Sequence, residues 1–199
     1  MKFIPNTLTI GRIVVTPILL VLLMTETLLG QVGALVLFIL AAISDYYDGK
    51  VARSYGVQSR LGQFLDPFAD KVLVLGTLAV LAVMIPRIVP WWAVALIALR
   101  DVTVTGLRMW AESRGRTLRT VPMAKTKTTL QLIFLIGVLL LMAATKFPEM
   151  IAGPARWVLE GDGYVIPLIL LMVVVAVTVF TGLWYLFNKE YASPAQFNG

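Results

Sequence analysis

The sequence contains no cysteine and no histidine. Disulfide bonds and cysteine nucleophiles are therefore excluded, as are serine–histidine–aspartate triads and zinc or haem sites that rely on these residues. Charged residues are also scarce: they make up 14% of the 199 residues, whereas soluble domains carry about 25%. Any chemistry must therefore come from carboxylates, amines, guanidinium groups, hydroxyls or a hard metal ion.

Apolar residues make up 59% of the chain and are concentrated in six runs of about 20 residues, the length that crosses a bilayer. Glycine, proline or charged clusters separate the runs. The sequence therefore predicts an all-α integral membrane protein with six transmembrane helices around a polar cavity open to the cytoplasm. The predicted spans are residues 10–30, 32–53, 66–86, 90–112, 127–146 and 164–187.

Basic residues predict the orientation, because short cytoplasmic loops are rich in Lys and Arg. With the N-terminus inside, 13 of the 17 Lys and Arg fall on the cytoplasmic side and only Arg87, Lys146 and Arg156 on the other. Both termini are predicted to be cytoplasmic, in a multi-pass protein of the cell inner membrane. The net charge of +6 then indicates attraction to anionic headgroups rather than to nucleic acid.

No repeat or composition shift divides the chain. Residues 1–191 are therefore predicted to form a single transmembrane catalytic domain, and residues 192–199 a disordered tail.

Four of the six aspartates fall within 26 residues. Asp45 and Asp48 are spaced i, i+3 near the end of the second span, and Asp66 and Asp70 are spaced i, i+4 at the start of the third. Each pair therefore shares one helix face. Two divalent cations would balance four carboxylates, and a site without histidine or cysteine suits Mg²⁺ or Mn²⁺. Two such ions can bridge a diphosphate and assist phosphoryl transfer.

Two alternatives to a catalytic metal site are open at this point. In one, the protein is a divalent-cation channel or transporter, although that function predicts acidic residues spread along the pore rather than gathered at one end. In the second, each aspartate caps a helix or pairs with a neighbouring cation: Lys50, Arg53, Arg60 or Lys71.

Residues 45–70 follow the pattern D-x2-D-G-x2-A-R-x8-G-x3-D-x3-D. This pattern resembles the signature of the CDP-alcohol phosphotransferase family of membrane enzymes, and all eight specified positions are filled. The N-terminal Pro5-Asn6-x2-Thr9-x2-Arg12 is similar to the family's opening segment. Members of the family displace CMP from a CDP-linked lipid by an alcohol, so the resemblance implies this activity, with two Mg²⁺ or Mn²⁺ ions per site.

The resemblance also implies roles for individual residues. Asp45, Asp48 and Asp66 would hold metal, and Asp70 would act as the catalytic base and as a further metal ligand. Taken alone, Gly49 and Ala52 are better explained by close helix packing. The residues that the resemblance places beside the CDP moiety are Asn6, Thr9, Gly49, Ala52, Arg53 and Gly62.

A basic region in and after the fourth span bears on the acceptor alcohol. The order Arg100-Asp101, Leu107-Arg108, Ala111-Glu112, Gly115 and Lys125-x-Lys127-Thr128 is similar to the branch that makes phosphatidylglycerophosphate from CDP-diacylglycerol and glycerol 3-phosphate.

Three of these basic residues, Arg108, Lys125 and Lys127, are expected to hold the acceptor phosphate by charge-assisted hydrogen bonds. An inositol phosphate would present the same charge, and a basic loop also anchors a protein to headgroups, so these residues leave the acceptor open. Arg100, about ten residues into an apolar span, is expected to pair inside the bundle. The expected partners are CDP-diacylglycerol, glycerol 3-phosphate, membrane lipids and, from the resemblance alone, a second copy in a homodimer.

Overall fold

In the computed structural model, the described part of the chain forms seven α-helices, one 3-10 helix and two strands of two residues. The backbone is described for residues 4–55, 60–114, 117–118, 122–187 and 191–192. Side chains are described for residues 11–44, 71–107, 109–111, 114 and 126–187.

Six of the described helices are 21 to 28 residues long, and each corresponds to one predicted span. They are α1 (Ile4–Met24), α2 (Leu28–Tyr55), α3 (Arg60–Met84), α4 (Trp91–Ser113), α5 (Pro122–Ala144) and α7 (Val165–Phe187). The 11-residue helix α6 (Glu149–Leu159) and the 3-10 helix Asp162–Tyr164 have no counterpart among the predicted spans. The strands are β1 (Thr117–Leu118) and β2 (Tyr191–Ala192).

The six long helices pack in a closed ring. Helix α1 packs against α2 and α3, α5 packs against α2 and α7, and α4 lies between α3 and α7. Every member of the ring contributes a fully buried apolar side chain to one core, and van der Waals packing among these side chains stabilises the ring. These side chains include Leu19, Phe38, Leu78, Ile97, Phe134 and Leu171.

Short connections place alternate helix ends together. Strands β1 and β2 pair antiparallel, with Thr117 opposite Ala192 and Leu118 opposite Tyr191, so the end of α7 lies beside the loop between α4 and α5. We call this end of the bundle the signature end. There α1, α3 and α5 begin, and α2, α4 and α7 end.

The predicted end of the first span, 10–30, is wrong, because α1 ends at Met24. The Thr25 hydroxyl donates a hydrogen bond of 2.6 Å back into the last turn of α1. Thr27 Oγ1 accepts one of 3.1 Å from the backbone N–H of Gly30, in the first turn of α2. Hydroxyl groups that bond to helix termini therefore divide a stretch that apolar composition alone joins.

The predicted tail starts at Ala192, which the structure places in β2. Residues 193–199 lie outside the described residues, so their disorder stays a prediction.

Two stretches of the described chain are long and apolar enough to cross a membrane, Thr126–Ala144 and Asp162–Phe187. Shorter apolar stretches occur in α1, α2 and α3. Large apolar side chains also face outward, as at Leu29 (84% exposed) and Leu99 (66%). Exposed apolar surface of this extent indicates contact with lipid or protein.

Candidate active site

The four signature aspartates lie on two helices that meet at the signature end. Asp45 and Asp48 are in the last three turns of α2, and Asp66 and Asp70 are in the first three turns of α3. Four residues join these helices, so their ends are at most about 17 Å apart. Both helices also pack against α1. The backbone therefore brings the two aspartate pairs to one end of the bundle.

Most predicted site residues have described helix positions, but their side chains lie outside the described residues, so their roles stay predictions. These residues are Asn6, Thr9, Asp45, Asp48, Gly49, Ala52, Arg53, Gly62, Asp66, Asp70, Arg108 and Lys125. Among the side chains that are described, no three carboxylates form a group that could hold a metal ion.

A buried group of charged side chains connects three helices of the ring. Asp101 on α4 is 1% exposed and accepts two hydrogen bonds of 2.7 Å from Lys127 Nζ on α5. Arg100 Nη1 lies 3.2 Å from Asp101 Oδ1, and Lys71 Nζ on α3 lies 3.8 Å from Oδ2. One carboxylate therefore contacts three cations. We call these four residues the Asp101 cluster.

Arg100 links the Asp101 cluster to α7, and its predicted inward pairing is confirmed. Its Nη2 donates a hydrogen bond of 3.2 Å to Thr181 Oγ1. The Thr181 hydroxyl donates in turn to Thr178 O at 3.0 Å. A Cβ added at Gly182 would lie 2.7 Å from Arg100 Cγ, so only glycine permits this close approach of α7 to the arginine.

Asp101 is the one buried carboxylate among the described side chains; the described glutamates and Asp162 are exposed. Its cluster holds three positive charges against one negative charge. Buried charge is costly unless it is compensated, and the Asp101 carboxylate supplies compensation to the cations that surround it. Lys71 directly follows Asp70 in α3, which puts the cluster next to the signature segment.

Lys127 is the one predicted acceptor residue whose side chain is described. It is 2% exposed, and its Nζ lies 2.7 Å from both oxygens of Asp101, while an ammonium group has three N–H donors in all. Lys125 lies two residues earlier on α5, about 200° around the helix axis. The two positions therefore lie on different faces of α5.

The pairing of Asp101 with Lys127 was not predicted from the sequence. The available signal was the Arg100–Asp101 pair in the middle of an apolar helix, because charges at that depth are retained where they meet an opposite charge.

Arg114, just beyond α4, has a different environment. Its guanidinium carbon lies 4.2 Å from the centroid of the Trp110 ring, and both residues are exposed. This cation–π contact stabilises the arginine beside an aromatic residue of the kind enriched at membrane surfaces.

These features define an all-helical, membrane-associated protein with four aspartates at one end of a helix ring and a buried charged cluster next to them. The chain belongs to the CDP-alcohol phosphatidyltransferase family, whose model matches residues 2–184. This membership shows a transferase and not a cation channel.

Several curated relatives carry the name CDP-diacylglycerol–glycerol-3-phosphate 3-phosphatidyltransferase. The protein of Cereibacter sphaeroides is 36% identical over 152 residues, which are 75% of this chain and 68% of the relative. The Bacillus subtilis protein is 32% identical over 149 residues, 69% of this chain and 76% of the relative. The Rickettsia typhi protein is 37% identical over 144 residues, 71% of this chain and 78% of the relative.

Proposed function

We propose that this chain transfers the phosphatidyl group of CDP-diacylglycerol to glycerol 3-phosphate, giving phosphatidylglycerophosphate and CMP. The observation that carries the proposal is that relatives from three bacteria, each aligned over more than two thirds of this chain, are named for this reaction. Lys127, one of the residues expected to hold the acceptor phosphate, lies in the Asp101 cluster, and Lys71 of the same cluster directly follows Asp70.

We propose that Asp45, Asp48, Asp66 and Asp70 hold two Mg²⁺ or Mn²⁺ ions. The donor set fits, because it offers only carboxylate oxygens, as hard ions require, from two helices that meet at one end of the bundle. Bound ions would neutralise the charge of the diphosphate and of the leaving phosphate.

In the proposed reaction, Asp70 accepts the proton of the sn-1 hydroxyl of glycerol 3-phosphate. The hydroxyl oxygen forms a bond to the β-phosphorus of CDP-diacylglycerol, and the bond from that phosphorus to the bridging oxygen breaks. The electron pair leaves with CMP. Holding the two substrates in this geometry is itself a large part of the catalysis.

The remaining predicted residues bind the two substrates in this proposal. Arg108, Lys125 and Lys127 hold the phosphate of the acceptor by charge-assisted hydrogen bonds. The CDP moiety is bordered by Asn6, Thr9, Gly49, Ala52, Arg53 and Gly62.

Aromatic side chains support a membrane-spanning position for α4. Trp91 and Trp92 at its start and Trp110 near its end are about half exposed. The 19 residue-to-residue steps from Trp91 to Trp110 measure about 28 Å along a helix, close to the ~30 Å hydrocarbon thickness. Tryptophan is enriched at both membrane surfaces. Arg100 and Asp101 lie between these tryptophans. Because their charges pair within the Asp101 cluster, they can lie at this depth in the membrane.

We further propose that all six long helices cross the inner membrane, with both termini and a polar cavity at the cytoplasmic side. The excess of basic residues at the signature end supports this orientation. CDP-diacylglycerol would keep its acyl chains among the membrane lipids while its phosphates meet glycerol 3-phosphate at the signature end. A homodimer is proposed on the family resemblance alone.

The test is to incubate the purified protein with CDP-diacylglycerol, Mg²⁺ and one alcohol at a time, and to measure CMP and the lipid product. We expect CMP and phosphatidylglycerophosphate with glycerol 3-phosphate, and neither product with inositol phosphate, serine or no alcohol. Turnover with inositol phosphate alone would assign the other acceptor. Absence of CMP with every alcohol, in Mg²⁺ and in Mn²⁺, would refute the transferase.

A further inference from the structure

Asp101 fixes the position of the Lys127 ammonium group. Both carboxylate oxygens lie 2.7 Å from Lys127 Nζ, and both residues are almost fully buried. An ammonium group has three donors in a fixed tetrahedral arrangement. Because both oxygens of Asp101 contact the same ammonium group, the carboxylate holds Lys127 Nζ in place, and an N–H group that Asp101 does not use can bind another acceptor. The position of the Lys127 ammonium group is therefore determined by a residue of α4, although the lysine itself belongs to α5.

The same carboxylate also contacts the helix that carries the proposed metal ligands. Lys71 Nζ lies 3.8 Å from Asp101 Oδ2, and Lys71 directly follows Asp70 in α3. Arg100 completes the arrangement by bonding to both Asp101 and Thr181 on α7. Four helices are thus tied to one another through groups around Asp101.

We infer that Asp101 is a positioning residue for the acceptor: it holds Lys127 in α5 at a set distance from the signature segment of α3. It does not touch either substrate. Its contribution is to hold the phosphate of the acceptor where the free hydroxyl reaches the diphosphate of the lipid. This inference rests on the proposed function, since it assigns Asp101 to the acceptor side of that reaction.

The first experiment measures KM for each substrate in Asp101→Asn, by CMP release. Asparagine keeps the size of the side chain but cannot accept two charge-assisted bonds from Lys127. We expect KM for glycerol 3-phosphate to rise about 10- to 100-fold, with KM for CDP-diacylglycerol unchanged. Asp162→Asn is the matched control, because Asp162 is exposed, and it should change neither value.

A double-mutant cycle distinguishes positioning from a general effect on folding. In a Lys127→Met background, Asp101→Asn should produce no further rise in KM for glycerol 3-phosphate, because the aspartate acts through that lysine. Additive effects of the two substitutions would overturn the inference.

Asp101→Glu covers the case in which loss of the buried negative charge prevents folding. Glutamate retains the charge but moves the carboxylate by one methylene, so KM for glycerol 3-phosphate should rise about tenfold or more. A folded Asp101→Glu protein with the wild-type KM would overturn the inference, while the wild-type reaction would still support the proposed function. A wild-type protein that releases no CMP with glycerol 3-phosphate would overturn both.

Discussion

The signature segment carries four carboxylates within 26 residues on α2 and α3, whereas the Asp101 cluster gathers three cations around one carboxylate from α3, α4 and α5. In our proposal the first region requires positive charge from bound ions. In the Asp101 cluster, the cations pair with a carboxylate of the protein itself. The two regions adjoin at Asp70 and Lys71. If the proposal is right, substrate and metal bind beside a part of the ring whose charged side chains already pair with one another.

The largest effect is expected from removing one carboxylate of the signature segment. Asp66→Asn keeps the volume but removes a hard anionic ligand, so CMP release should fall by several orders of magnitude while the protein still inserts and purifies. Activity of the wild type should also vanish in chelator and return with Mg²⁺ or Mn²⁺. Near-wild-type turnover by Asp66→Asn would show that this segment does not depend on bound metal.

Substitution of Asp70, at the boundary of the two regions, should distinguish a role in proton transfer from a role in metal binding. Asp70→Asn is expected to lower turnover about 10²- to 10⁴-fold, the usual contribution of a positioned base. Metal-dependent binding of CDP-diacylglycerol, measured directly, should persist on the other three carboxylates. If that binding is lost as well, Asp70 acts chiefly as a metal ligand.

Arg108 tests whether basic residues outside the Asp101 cluster also bind the acceptor. Arg108→Ala should raise KM for glycerol 3-phosphate by the equivalent of about 1.5–3 kcal/mol and leave KM for CDP-diacylglycerol unchanged. Arg114→Ala is the matched control, because its guanidinium stacks on Trp110. Equal effects of the two substitutions would mean that the loop acts only as a positive surface, and the choice of acceptor would be open again.

Gly182 tests how closely the Asp101 cluster depends on its packing against α7. Gly182→Ala puts a methyl group 2.7 Å from Arg100 Cγ, and such overpacking costs about 1–3 kcal/mol of the free energy of unfolding. The comparison is Gly106→Ala, since nothing lies within 4 Å of a Cβ added there. Denaturation in detergent measures both. Equal stability of the two variants would show that α7 or Arg100 can shift to accommodate the added methyl group at little cost.

The six long helices, and the placement of the four aspartates as two pairs at helix ends, were predictable because both depend on residues that are neighbours in the sequence. Helix α6 was missed because it is much shorter than the runs of about 20 apolar residues from which the spans were predicted. Its pattern was present: Ala152, Ala155 and Leu159, spaced i, i+3 and i+7, are the buried residues of α6. A test for short amphipathic helices would have found it.

The Asp101 cluster was not predictable in the same way. Lys127 and Asp101 are 26 residues apart and on different helices. Their pairing depends on which faces of α4 and α5 meet, and that is decided by the packing of the whole ring. The sequence supported only the more general expectation that Arg100 pairs inside the bundle, which Asp101 and Thr181 confirm.

The adjacency of Arg100 and Asp101 also matters while the chain is being made. Thr181 lies 81 residues after Arg100, so the ribosome needs roughly 4–16 s to supply it. An arginine entering a bilayer alone during that interval would be costly. In the proposed membrane topology, Asp101 offers Arg100 a counter-ion as soon as the next residue is added, whereas Lys127 and Thr181 become available only with α5 and α7.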